Sequence, residues 1–174
     1  MTGKTSKQYL FDVQLNWLCE KKGILTANNV SGSIHVATPQ EFGGEGKSWS
    51  PEHLFLSSIS SCFMTTYLAF AQRLHFEISH FDCSIIGHAE IMEGKYKFTH
   101  IDLYPKVYIA DESVRDKATL AMEKTYKYCL ISNSVNAAIY YHSEIQVDRN
   151  PKIVQTVEPA SAKQRITGTR LLIL

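Results

Sequence analysis

Eighteen consecutive residues, Leu54 to Ala71, carry no charge, and this run constrains the fold more than any other feature of the chain. Trp49-Ser50-Pro51-Glu52 precedes it. A serine N-cap accepts a backbone N–H, proline suits the first helical turn where no donor is required, and glutamate complements the positive end of the helix dipole. A long helix starting near residue 51 is expected. Its length touches the threshold for a membrane span of about 18 apolar residues. However, six of the eighteen are Ser or Thr, and the run lies mid-chain between strand-like patterns with no second apolar span. The expectation is therefore a helix buried in protein, with no membrane as partner. A helix apolar on every side must be covered on every side, and 174 residues offer little material to surround one so long. A homodimer around this helix is the simplest way to cover it.

The flanking segments read as strands. Phe11, Val13, Leu15, Trp17 and Cys19 alternate with Asp12, Gln14 and Asn16, the pattern of a half-buried strand. Lys21-Lys22-Gly23 interrupts it, Ile24-Leu25-Thr26 returns, and Ser33 to Ala37 supplies a third strand, so a meander is expected. After Arg73, Phe81, Cys83 and Ile85 alternate, then Ile101, Leu103, Val107 and Ile109, turned around Glu93-Gly94. Asp111 to Tyr128 has the helical period, with Val114, Ala118, Ala121, Met122, Thr125 and Cys129 on one stripe. Ser132-Asn133-Ser134 offers caps for a further short helix, and Glu144 to Val147 reads as a closing strand. The fold class is α+β, with antiparallel sheet wrapped around the buried central helix.

Charge and cysteine content narrow the function. Hydrophobic residues make up 44% of the chain, enough for one globular core. Eighteen Lys and Arg against seventeen Asp and Glu give +1. Residues 148–174 hold five basic and two acidic residues, Pro151 and Pro159, and no sustained period; they read as an appended, poorly ordered tail to a domain spanning 1–147. Removing the tail's +3 leaves −2 for that domain, so no nucleic-acid partner is expected. The polar start MTGKTSKQYL shows no signal-peptide pattern, which gives a cytoplasmic expectation in which paired cysteines do redox chemistry rather than form structural disulfides.

Several motifs fail on inspection. Gly46-Lys47-Ser48 resembles the end of a P-loop, but that loop needs glycine where Glu41 stands. Seven histidines show no HxH or HExxH spacing and no CxxC occurs, so neither metal nor other cofactor is expected. There is no GxSxG elbow. Cys19 and Cys83 lie on apolar strand faces and read as small buried side chains.

Cys62 and Cys129 differ, one inside the central helix and the other at the end of the next, followed by a capped turn. Ser50-Pro51-Glu52-His53-Leu54-Phe55, Ser61-Cys62-Phe63-Met64 and Tyr128-Cys129-Leu130-Ile131-Ser132-Asn133-Ser134 together resemble the OsmC/Ohr family of thiol-dependent peroxidases. In that family a proline-glutamate pair opens the central helix, a Cys-Phe lies within it, and a Cys-Pro-hydrophobic-Ser-Asn motif carries the second cysteine. The resemblance runs from about Phe11 to Val147. It implies an OsmC-like fold, an intertwined homodimer with interfacial sites, and reduction of small organic hydroperoxides in an antioxidant stress response. Cys62 would be the peroxidatic thiolate and Cys129 the resolving thiol, with an external dithiol as reductant. Glu52 would match the glutamate that holds an arginine beside the reactive sulfur, a charge this chemistry needs because thiols buried away from cations are poor thiolates.

Two positions depart from the family pattern. No arginine precedes Arg73, so Lys21, Lys22 and Lys47 are the candidate replacement cations, each without arginine's planar fork. Leu130 stands where the family has proline. The alternative expectation is a dimeric small-molecule-binding protein of the same fold without peroxidase activity. Trp49, Phe55, Phe63 and Tyr67 are candidate walls of an apolar substrate pocket. Independent of any family, ten residues of helix between Glu52 and Cys62 correspond to roughly 15 Å of rise, so one site using both must draw them from two subunits.

Overall fold

The computed structural model describes residues 7–148 of the 174; the tail expected beyond residue 148 lies outside them. Three strands come first, β1 (Gln14–Cys19), β2 (Lys22–Thr26) and β3 (Ile34–Ala37), paired antiparallel in chain order. This is the expected meander, with one shift. The break falls at Glu20-Lys21, where Glu20 adopts a left-handed φ of 47°, and Lys22 and Gly23 belong to β2. Gly23 is required there, since a Cβ would stand 2.9 Å from a Leu15 methyl and 3.1 Å from the Asn16 carbonyl oxygen.

Helix α1 (Pro51–Arg73) begins as the sequence dictates. Ser50 Oγ accepts the His53 N–H, the His53 ring faces back to the Ser50 N–H, and Pro51 occupies the first turn. Ile59, Phe63, Tyr67 and Ala71, spaced four apart, form the buried stripe that packs on the second helix and the second sheet. The covering is one-sided: in a single chain the remaining faces of α1 stay partly open, with Leu68 39% exposed. By length and hydropathy α1 could cross a membrane; here it is the core helix of the fold.

The second sheet is built on the long hairpin β4 (His80–Met92) and β5 (Lys95–Ile109), turned at Glu93-Gly94 with φ of 53° and 75°. Phe81, Cys83 and Ile85 of β4 and Ile101, Leu103, Val107 and Ile109 of β5 face the helices. Burial pushes the Cys83 thiol up to about 11. Asp111 Oδ1 caps a single 3-10 turn, which leads into α2 (Arg115–Tyr128). The predicted stripe of α2 is buried at Ala118, Ala121, Met122 and Thr125.

Three expectations need correction. Ser132–Ser134 makes only one 3-10 turn, because the chain must re-enter the sheet at β6 (Ala138–Tyr141), a strand the sequence reading missed. β6 and β7 (Glu144–Val147) both pair parallel to β5, so the sheet is mixed rather than antiparallel. A connection through a helix returns the chain in its original direction. Finally, β1 is exposed throughout in the single chain, with Trp17 at 75%, and Cys19 is exposed rather than buried, because no element among the described residues packs on that face.

Candidate functional site

Cys62 and Cys129 lie 67 positions apart in the chain and are brought together. Cys62 sits midway along α1, half-buried, and its Sγ accepts the Ile131 N–H at 3.5 Å. Cys129 caps α2 in extended backbone conformation and is fully buried. The two sulfurs are close enough to act on one another. Burial pushes the Cys129 thiol up, the Ser132 hydroxyl and amide pull it down, and the neighbouring Cys62 pushes it up again. Ser132 Oγ donates to Cys129 Sγ at 3.1 Å. Both thiols are free. This is a dithiol pair with a donor on each sulfur, and such donors favour the thiolate, the form that reacts in thiol exchange.

An aromatic wall backs the pair. Phe63, Tyr126 and Tyr141 pack with ring centroids 4.6–5.9 Å apart, and Cys129 influences Tyr141 electrostatically. Sequence reasoning missed Tyr126, Tyr141, Ser132 and Ile131 as neighbours of the thiols. Of these, Ser132 alone carried a local signal, three residues beyond a cysteine at a helix end. Phe63 and Tyr67 have no exposed surface in the single chain and pack in its core, the Tyr67 hydroxyl donating to the Ala118 carbonyl at 3.2 Å. Phe55 stacks on Phe98 with centroids 5.1 Å apart, and Trp49 is 52% exposed beside His53.

Glu52 stands at the other end of α1's first half, so the same chain does not bring it to Cys62. It borders two cavities, one of about 310 Å³ against β1–β3 that includes Trp17, Lys21 and Lys22, and one of about 530 Å³ that includes His53, Leu56 and Phe98. Its Oε2 is buried without a hydrogen-bond partner. Among the described residues no Lys or Arg pairs with it. Lys22 Nζ is taken by Glu45 at 2.7 Å and Glu20 at 3.8 Å, Lys47 acts on Glu45, and Lys21 borders the smaller cavity. A buried unpaired carboxylate oxygen is costly, and none of the described residues supplies its partner.

The comparisons fall in line with this geometry. A model of the OsmC family, described as OsmC-like protein, matches residues 44–142, which include Glu52 and both thiols of the pair. The chain belongs to the OsmC family. The uncharacterized protein YmaD of Bacillus subtilis is 20% identical over 146 residues, covering 82% of this chain and 95% of that protein. Among solved structures, an OsmC-like protein from Vibrio cholerae is 18% identical with a TM-score of 0.65, covering 79% of this chain and 99% of the other. An organic hydroperoxide resistance protein from Elizabethkingia anophelis is 16% identical with a TM-score of 0.65, covering 83% and 100%. These similarities establish the OsmC fold for the described chain.

Proposed function

We propose that this OsmC-family chain reduces small organic hydroperoxides with the Cys62–Cys129 pair. The observation that carries the reading is the meeting of these two thiols across 67 residues of chain, each with its own hydrogen-bond donor. Resistance to organic hydroperoxides is the role named for several proteins of similar fold. In the proposed cycle the Cys62 thiolate attacks the terminal peroxide oxygen, an S–O bond forms, the O–O bond breaks, and the alkoxide leaves as alcohol after taking a proton. Cys129 then attacks the Cys62 sulfenic acid, the disulfide forms, and water departs. An external dithiol restores both thiols by exchange, being oxidised to its own disulfide.

The acting unit in this reading is a cytoplasmic homodimer. Glu52 of one subunit approaches Cys62 of the other, which reconciles their separation along α1 with a shared site and gives the open faces of α1 and β1 something to cover. The candidate cation is Lys21, which borders the same cavity as Glu52 while Lys22 is engaged by Glu45.

One observation favours a second reading. With Glu52 Oε2 unpaired and no arginine before Arg73, the same dimer would bind an apolar small molecule without turning over peroxide. A coupled assay with cumene hydroperoxide and dihydrolipoamide separates the two. Thiol-dependent turnover that disappears in Cys62→Ser is expected; no turnover in the wild type, or equal turnover in the variant, refutes the peroxidase.

A further inference from the structure

The outward face of the second sheet gathers polar side chains that the thiol chemistry does not use. Core residues of β5 occupy the odd positions from Ile101 to Ile109, so His100 and Asp102 point the other way. In the register of β4 and β5, His88 stands directly opposite His100, and His142 follows β6 beside them. Spacing along the chain could not reveal this group, because its members come from three separate segments.

We propose that His88, His100 and Asp102 form a binding site for a divalent first-row transition-metal ion, with His142 as a positioning residue. One ligand atom from each of the three lies within 4.8 Å of the others. Two imidazoles and a carboxylate suit zinc and its neighbours, and leave further coordination positions open to water. The site is accessible, since the His88 side chain is 42% exposed, while Asp102 is 18% exposed and anchored.

The hydrogen bonds fix which atoms are available. Asp102 Oδ2 faces His88 Nε2 at 3.0 Å, and Oδ1 faces His142 Nε2 at 2.8 Å. Both carboxylate oxygens are thus fixed in place by imidazole partners, one of them a proposed ligand and the other outside the set. His142 is itself held by stacking on Tyr104, centroids 4.6 Å apart, and grips the carboxylate oxygen that faces away from His88. Such outer partners orient a ligand and raise its affinity. On His100, Nδ1 meets Thr99 Oγ1 at 3.1 Å, and that hydroxyl also reaches the His88 carbonyl and Glu90 Oε1, both of which only accept. The hydroxyl proton therefore goes to one of those acceptors and His100 Nδ1–H donates to the oxygen, which leaves Nε2 with a free lone pair. Thr99 can do this because it is the extra residue of a β-bulge between His88/Ala89 and their partners.

Occupancy requires small movements. The His88 and His100 rings are stacked at 3.9 Å with 12° between planes, and ligation in both ring planes needs one ring to turn about χ2, a soft torsion. The gap between His88 Nε2 and Asp102 Oδ2 must open to about 3.4 Å, the separation of two atoms bonded tetrahedrally to one zinc. The ion takes the His88 Nε2 position as the neutral ring changes tautomer, its single proton moving from Nε2, where it faces Asp102, to Nδ1 through solvent.

The test is calorimetric titration of the untagged, reduced full chain with zinc, followed by cobalt(II) absorbance. One ion per chain is expected, with a cobalt spectrum free of thiolate charge-transfer bands. His88→Gln and Asp102→Asn should weaken binding at least tenfold, and His142→Gln about 10- to 100-fold, with unchanged circular dichroism. His80→Gln, on the same face outside the cluster, should bind as the wild type does. Absence of zinc uptake by the wild type, uptake unaffected by His88→Gln and Asp102→Asn, or an equal loss in His80→Gln overturns the proposal.

Discussion

Replacing Ser132 with alanine tests whether Cys129, the resolving thiol of the proposed cycle, is tuned by its neighbour. Ser132 Oγ donates to Cys129 Sγ at 3.1 Å in a fully buried setting, where burial raises the thiol and this hydroxyl is the largest opposing influence. A hydrogen bond to a charged group contributes roughly 1.5–3 kcal/mol, so its loss lowers the thiolate fraction below the thiol's titration point by about 10- to 150-fold. The remaining thiolate is more basic and attacks faster, with a Brønsted slope of about 0.4–0.5. The net expectation is disulfide closure slowed about 4- to 16-fold. Because the hydroxyl favours the charged form, its removal also moves the rising limb of the pH–rate profile to higher pH. The assay treats the reduced protein with one equivalent of cumene hydroperoxide, quenches at intervals between pH 6 and 9, and counts sulfenic acid and disulfide by mass spectrometry. Closure as fast as in the wild type, with an unmoved pH limb, would refute the argument.

Three further outcomes follow from the packing. Gly87→Ala places a Cβ 2.6 Å from the Phe98 ring and 2.8 Å from a Leu56 methyl; with Phe98 stacked on Phe55, thermal or urea unfolding should show a loss of about 1–3 kcal/mol. Leu68→Glu puts a charge on the open face of α1; light scattering should move from twice 19.7 kDa toward one chain, and a wild-type monomer at micromolar concentration would contradict the dimer. Asp102 is held below its ordinary value by His142 and His88, so it contributes stability that is present above about pH 4 and lost as pH falls through its folded value. Acid unfolding of Asp102→Asn should accordingly show a flatter limb below that pH than the wild type.

Local rules explain why the central helix was legible. Ser50, Pro51 and the uncharged run each specify it independently, and the structure begins α1 at Pro51. The α2 stripe was equally plain, because a 3.6-residue period repeated through Ala118, Ala121, Met122 and Thr125 leaves little ambiguity. β6 was missed since four residues, Ala138–Tyr141, are too few to show a period, and their pairing is decided by β5, some forty residues earlier. The thiol pair was accessible only through motif resemblance, whereas Ser132 and Tyr141 become its neighbours through tertiary packing. The histidine cluster was invisible for the same reason, since cross-strand register leaves no trace in linear spacing. β1 was expected half-buried, with Cys19 on its inner face, and no element among the described residues covers it.

The pairing of β5 on its two sides also separates two clocks during folding. On one side β4 joins it through a two-residue turn, an event on the microsecond scale for hairpins. On the other, β6 and β7 can dock only after α2 has crossed over, and such non-local closure is intrinsically slow. Cys129 and Ile131 lie on that late crossover, so the nascent chain carries Cys62 for some time before its partner thiol arrives. The two thiols thus meet only once the α2 crossover has docked, which ties their pairing to the least local part of the fold.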